Sequence, residues 1–481
     1  MEQKMQLKYF SLLLVLMAAI AIIGCEGPEG PQGEQGPAGP INAGYTFLGD
    51  DGNTCGHCHA STVASWEATG HHQAYQALVD GGDETNLYCV QCHTTGFDAT
   101  VSYGDTVVVD HGPDMSGFDD YWPPATAEDS MRVEDLKNVQ CESCHGAMGP
   151  EIMDHAPILT FETMAVGGVE QSMCAKCHEQ VEEWHESGHG MALENAGITQ
   201  EEWNDEFNAG GSASSTSTCW TCHTGEGFAY ANDPQWTGTT RPAMASLIGC
   251  PSCHDPHSST LDAQLRNLND YTTQYTAADT ATYTGYGASQ ICVQCHHARR
   301  TNSNVASQIN NGSEHFGPHA SPQMDAFLGS GSYEIAGYTY DRTHSHQTIP
   351  EGCVTCHMEF RDHSDPLGWS GGHNWEPSPA TCQTSGCHGA MPADFDLNGA
   401  VTEINGLMDE LLSTIGVPVD SLGSASLTVA QREAGYAYAF LYNDGSHGIH
   451  NPAYALSLLN NALDYLSSSS AVAQAGAAWN K

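Results

Sequence analysis

At nine places in this chain a histidine directly follows the second of two cysteines, and eight of the nine share one spacing. Cys55-Gly56-His57-Cys58-His59 has the pattern C-x-x-C-H. It recurs at Cys89/Cys92/His93, Cys141/Cys144/His145, Cys174/Cys177/His178, Cys219/Cys222/His223, Cys250/Cys253/His254, Cys292/Cys295/His296 and Cys353/Cys356/His357. The ninth, Cys382, Cys387 and His388, has four spacer residues instead of two. Two thiols three residues apart lie on one turn of backbone and can bond both vinyl groups of one haem; the next histidine then reaches the iron. A zinc ribbon or a disulfide framework has no reason to place histidine after every second cysteine. The pairs use eighteen of the nineteen cysteines and leave Cys25. The expected cofactor is covalent haem c, nine per chain. The proximal ligands are His59, His93, His145, His178, His223, His254, His296, His357 and His388.

Seventeen of the 26 histidines remain after these nine, in a chain with 13 Lys plus Arg. Such an excess calls for a cause, and a second histidine on each iron supplies one. The expected distal ligands are His71, His155, His189, His257, His319, His346, His363, His373 and His450. His71 follows Trp66 and ends in Gly70-His71, and Trp184-His185-Glu186-Ser187-Gly188-His189 repeats that tail. His257 is held rigidly near a haem by His254-Asp255-Pro256-His257, and is expected to serve a neighbouring iron. His72, His297, His344 and His447 stand beside these as substitutes. Methionine is the other common sixth ligand, but none of the 15 has a recognisable spacing.

These sites need little conventional core. The chain is rich in Gly, Ser, Thr and Ala and modest in long aliphatics, so haem plates would replace much of it. The expected fold is mostly α and irregular, with a haem-packed core, short helices, long loops and a C-terminal helical segment. Residues 1–24 read as a lipoprotein signal: Lys4 and Lys8, an apolar run from Tyr9 to Ile23, then Gly24-Cys25 with a lipid on Cys25. Residues 25–44 are a collagen-like tether with Gly every third residue from Gly27, reaching about 45 Å at ~3.1 Å per residue. Three haem modules follow: 45–165 (motifs one to three), 166–275 (four to six) and 276–395 (seven to nine). Cys-Glu-Ser-Cys-His at 141 and Cys-Pro-Ser-Cys-His at 250 close the first two, which read as related triplets. Residues 101–109 suggest a hairpin.

Residues 396–481 read as two or three helices. Leu397, Val401, Ile404, Met408, Leu411 and Ile415 form an a/d seam. Thr428 to Gln431 is a capping box for a helix ending near Asn443-Asp444-Gly445, and Asn451-Pro452 opens another with Tyr454, Leu458, Ala462 and Leu466 on one face. They cap the haem core or make a homo-oligomer interface. Asp394, Asp396 and Asn398 resemble half a calcium loop, with Asn405 where the twelfth position needs Glu.

The phrases Trp…Ser-Gly-His, Cys-His-Thr-Thr-Gly-Phe and Cys-Glu-Ser-Cys-His-Gly resemble the multihaem cytochrome c superfamily over about residues 50–465. That group includes hydroxylamine oxidoreductase, its tetrahaem carriers and pentahaem nitrite reductase. Ser446-His447-Gly448-Ile449-His450-Asn451-Pro452 is similar to its C-terminal region. Those reductases usually carry Lys in place of the axial histidine at the catalytic haem; here every motif ends in His. After Cys144 the tail to His155 is longer than the family's usual run.

The net charge of −45 excludes nucleic-acid binding, which needs a basic surface. It suits solubility, or steering of a basic redox partner. The leading expectation is an exported cell-envelope lipoprotein, periplasmic or on the outer membrane, that transfers electrons to redox partners along mostly bis-histidine haems, including extracellular electron transfer. One alternative is an oxidoreductase of nitrogen or sulfur oxyanions with one open haem; no catalytic residue is assigned. A second is a subunit of a conductive filament.

Overall fold

Each of the nine cysteine-pair motifs starts on a helical segment, most of them short. The turns are Asn53–Trp66, Leu87–Val90, Cys141–His145, Cys174–Lys176, Thr218–His223, Cys250–Cys253, Gly287–Gln294, Cys353–His357 and Pro379–Thr384. The backbone closes several of them, with the histidine N–H donating to the first cysteine's carbonyl: His178 to Cys174, His254 to Cys250 and His296 to Cys292, each at 2.9 Å. In the longest of these, Asn53–Trp66, helical geometry breaks at His59 (φ −114°, ψ 39°). The helix is therefore kinked at the histidine of its own motif and continues beyond it to Trp66.

The structure is a computed structural model that describes residues 47–97, 117–147, 174–207, 209–211, 218–233, 240–241, 245–273, 281–358, 372–384 and 387–479. The signal, the tether, the 101–109 hairpin, His155 and His363 lie outside them. The described residues belong to one compact unit, Tyr45–Lys481. Helices dominate; the described strands are Tyr271–Thr272 and Thr282–Tyr283, antiparallel with Tyr271 opposite Tyr283. Among the described residues no helix is long and apolar enough to cross a membrane.

Among the described residues the largest apolar core cluster lies at the C-terminal end, with smaller clusters around Phe118, Trp203 and Tyr283. Helices Ala400–Ile415, Val429–Asp444 and Pro452–Trp479 pack together and on the 302–335 segment. The seam residues Ile404, Met408, Leu411 and Ile415 are buried, as are Tyr454, Leu458, Ala462 and Leu466. Their partners include Val305, Ile309, Phe316 and Ile335, so these faces are covered within the chain. The Thr428 capping box forms, and Gly445 ends that helix in the left-handed region (φ 74°).

The calcium-like acidic turn does local work. Asp396 accepts from the Val401 amide (2.8 Å), the Thr402 amide (3.3 Å) and the Thr402 hydroxyl (2.6 Å). Asp394 accepts from the Asp396 amide (3.2 Å). Both Asp396 oxygens thus cap the Ala400–Ile415 helix, where the charge favours the N-terminal dipole.

Candidate haem-binding sites

The eighteen motif cysteines form no disulfide among themselves. Opposite seven of the proximal histidines stands a second histidine from elsewhere in the chain. Ring centres are 6.2 Å apart for His178 and His71, 6.1 Å for His145 and His257, and 6.0 Å for His296 and His189. They are 5.6 Å apart for His223 and His319, and 6.3 Å for His254 and His373. The last two pairs are His388 with His346 (6.2 Å) and His357 with His450 (6.1 Å). Two metal–imidazole bonds of about 2 Å each place ring centres about 6 Å apart. Direct ring contact needs no such constant gap. Seven of the nine histidines expected as distal ligands therefore face a proximal one; His155 and His363 are outside the described residues.

The other nitrogen of each ring tests the fit further. A metal-bound imidazole normally donates its remaining N–H, which fixes the tautomer. Nδ1 lies against the Ala74 carbonyl in His93 (2.6 Å), Ala263 in His254 (2.7 Å), Ile449 in His346 (2.8 Å) and Trp375 in His357 (2.8 Å). Gln323 Oε1 takes this place for His296 (3.3 Å) and the Ser321 hydroxyl for His319 (3.0 Å). Nε2 is left with its lone pair free for iron. Burial reinforces this, because it disfavours the charged imidazolium. It pushes His189 and His319 down to about 4 and lowers His71, His145, His178, His223, His254, His296, His346 and His357. His450 differs: burial acts to lower it, but the charge and hydrogen bond of Asp444 outweigh burial and raise it.

The substitute histidines have other work. His72 pairs with Asp51 (3.0 Å), and His447 Nδ1 meets the Asn405 side chain (2.9 Å). His297 stacks on Tyr271 (4.0 Å), and His344 packs edge-on to His346 (4.4 Å). Gly448 positions the His450 turn: its φ is +84°, and a Cβ there would collide with the Ile404 side chain.

Cysteine contacts order the motifs. Thiols are close neighbours between motifs one and three (Cys55, Cys141), two and four (Cys92, Cys177), and four and six (Cys174, Cys250). The same holds for five and seven (Cys222, Cys295) and for seven and eight (Cys292, Cys353). Cys144 is near Cys174, Cys253 near Cys292, and Cys356 near Cys382 and Cys387. Motifs one, three, four, six, seven, eight and nine thus form a line, with two beside four and five beside seven.

Contacts recur three motifs later. Trp66 Nε1 donates to the Val139 carbonyl (3.2 Å), two residues before motif three; Trp184 Nε1 donates to Ile248 (2.8 Å), two before motif six. Cys92 Sγ meets the Lys176 carbonyl and Cys222 Sγ the Gln294 carbonyl, both at 3.8 Å. His71 crosses from motif one to motif four, and His189 from motif four to motif seven.

Sequence reasoning missed Trp375 and the role of Asp444. The Trp375 ring lies 4.8 Å from His189 and 5.8 Å from His373, and its carbonyl accepts from His357. Its φ of +54° is unusual for a bulky residue. No periodicity marks it, because two of its three partners, His189 and His357, come from other stretches of the chain.

Repeated C-x-x-C-H turns in a mostly helical, strand-poor chain define a multihaem c-type cytochrome, and covalently bound haem c is its cofactor. The family model described as cytochrome c554 and c-prime matches residues 54–112 and 173–255, stretches that begin one residue before motifs one and four. The multiheme cytochrome MtrA of Shewanella baltica (strain OS185) is 27% identical over 137 residues, 27% of this chain and 39% of that protein. The matched stretch is thus well under two thirds of that relative. Among solved structures, the outer cell wall cytochrome OcwA covers 87% of this chain and 99% of its own at TM-score 0.47 and 16% identity. The undecaheme cytochrome from the S-layer of Carboxydothermus ferrireducens covers 89% of this chain and 70% of its own at TM-score 0.49 and 17% identity.

Proposed function

We propose that this chain is an electron-transfer protein with nine covalent haems, at least seven of them held by two histidines. The observation that carries the reading is the set of seven facing pairs, each with the gap one iron needs. Haem iron supplies one-electron exchange at each site. The chain's own part is to close both axial positions, hold Nδ1 of seven of these histidines on fixed acceptors and bring neighbouring motifs into contact. A six-coordinate iron offers no place for a substrate, which favours a carrier over an oxyanion oxidoreductase. His388 facing His346 supports use of the wide-spaced ninth motif. The offset-three contacts support reading 45–165 and 166–275 as duplicated modules, with 276–395 completing the line and 396–481 covering it.

The cell-envelope lipoprotein reading rests on the Lys4–Cys25 pattern, and the −45 charge suits a basic redox partner. Cys25→Ser should release the protein from membranes with its haems intact; retention after a high-salt wash would overturn the anchor.

The function is tested by electron paramagnetic resonance and visible spectra of the ferric protein, with carbon monoxide added to the reduced form. Low-spin haem at the seven paired sites, without carbon monoxide binding there, is expected. A substoichiometric high-spin component that binds nitrite or hydroxylamine and turns it over would favour the oxidoreductase reading instead.

A further inference from the structure

The hydrogen-bond acceptors behind the ligand histidines are not alike. For His93, His254, His346 and His357 they are backbone carbonyls, for His296 a Gln amide and for His319 a Ser hydroxyl. These acceptors carry no net charge. His450 instead meets a carboxylate: its Nδ1 is 2.7 Å from Asp444 Oδ1. The Asp444 side chain is fully shielded from solvent (0% exposed). Its second oxygen accepts from the Ser446 hydroxyl, and Ser446 Oγ also accepts from the His450 amide (3.2 Å). Among the described residues no lysine or arginine pairs with Asp444.

His257 is another expected ligand with a carboxylate at its ring, and the contrast is informative. His257 Nδ1 is 3.5 Å from Asp255, but that His side chain is 46% exposed and Asp255 is shared with Arg266 at 3.5 Å. Water and the guanidinium offset that charge. Asp444 lies in a dry site, where a hydrogen-bonded carboxylate makes a ligating imidazole more basic. A more basic ligand stabilises ferric over ferrous iron, because it gives electron density to the higher charge.

We propose that Asp444, acting through His450, lowers the potential of the haem at Cys353/Cys356 and makes it the low-potential site on the line between motifs seven and nine. Asp444 is a positioning residue for that haem, and the proposal rests on the reading of His450 as its distal ligand. With such a site between motifs seven and nine, only a donor of low enough potential can reduce the ninth haem at full rate along the line.

The test is a spectroelectrochemical redox titration of the full haem-loaded protein, with three variants. Asp444→Asn keeps an oxygen acceptor and removes the charge. One component of the titration should move to higher potential while all haems stay low-spin. Ser446→Ala removes a donor from the carboxylate, which strengthens its hold on His450, and should move the same component down. Asp255→Asn should leave the titration close to wild type. Opposite shifts at one haem are not expected of a packing defect. No shift in Asp444→Asn, or in Ser446→Ala should Asp444→Asn not assemble, overturns the proposal. His450→Ala separates the premises: if it opens one haem while the other variants shift nothing, only the Asp444 role fails. If it opens none, the ligand assignment fails and the proposal with it.

Discussion

Removing the imidazole of His71 tests the long-range ligand assignment directly. His71 lies twelve residues after His59, on the tail of motif one, yet its ring centre is 6.2 Å from His178 of motif four. His71→Ala should leave one iron with one histidine and an opening the width of an imidazole, enough for carbon monoxide. One haem in nine changes, so about one ninth of the haem should turn high-spin and bind carbon monoxide after reduction. Its potential should rise, since a basic ligand to ferric iron is lost. His72→Ala is the control: that ring pairs with Asp51 and should leave the spin state unchanged. The assay is paramagnetic resonance with carbon monoxide titration against total haem. Repeating it in a chain with Cys55 and Cys58 replaced by Ser identifies the iron. If the high-spin signal persists there, His71 serves motif four. If it disappears, His71 serves its own motif and the crossing is wrong; if His72→Ala gives the signal instead, the wrong histidine was chosen.

Other expectations follow from single contacts. Denatured intact mass should exceed the processed chain by nine haems and fall to eight in Cys382→Ser/Cys387→Ser, with the haem at His388 the one lost; an unchanged mass would remove the ninth site. Trp184→Phe deletes the 2.8 Å bond to the Ile248 carbonyl and should cost about 1 kcal/mol in chemical denaturation, with all haems retained. Asp396 is held below the usual carboxylate range, chiefly by the Thr402 hydroxyl and also by the Thr402 and Val401 amides. Its capping is therefore present at neutral pH and is lost as pH falls below about 4, through the lowered value. Hydrogen exchange at 401–402 should rise in acid and at all pH in Asp396→Ala. Loss of protection with a chelator at neutral pH would instead return that turn to a calcium role.

Local chemistry was legible in the sequence because covalent haem attachment needs residues that are neighbours in the chain. Two thiols and a histidine must share one turn, so the nine C-x-x-C-H-like motifs can be read without a fold. The C-terminal helices were legible for a related reason: seam, capping box and Asn451-Pro452 are periodic or adjacent signals, and they appear at Ala400–Ile415, Val429–Asp444 and from Pro452. The surplus of histidine pointed to second ligands and to which histidines to suspect, and seven of those stand opposite a proximal one. Which histidine meets which proximal partner was a different matter. His71 faces His178, His257 faces His145 and His373 faces His254, each joining stretches far apart in the chain. Such a pairing depends on how loops of unequal length close over one another, and closure energy grows so slowly with loop length that spacing cannot select a partner. The same holds for Trp375 beside His189 and His357 and for the dry carboxylate of Asp444 behind His450. Only tertiary packing decides which groups lose water together, and that loss is what gives their contacts their strength.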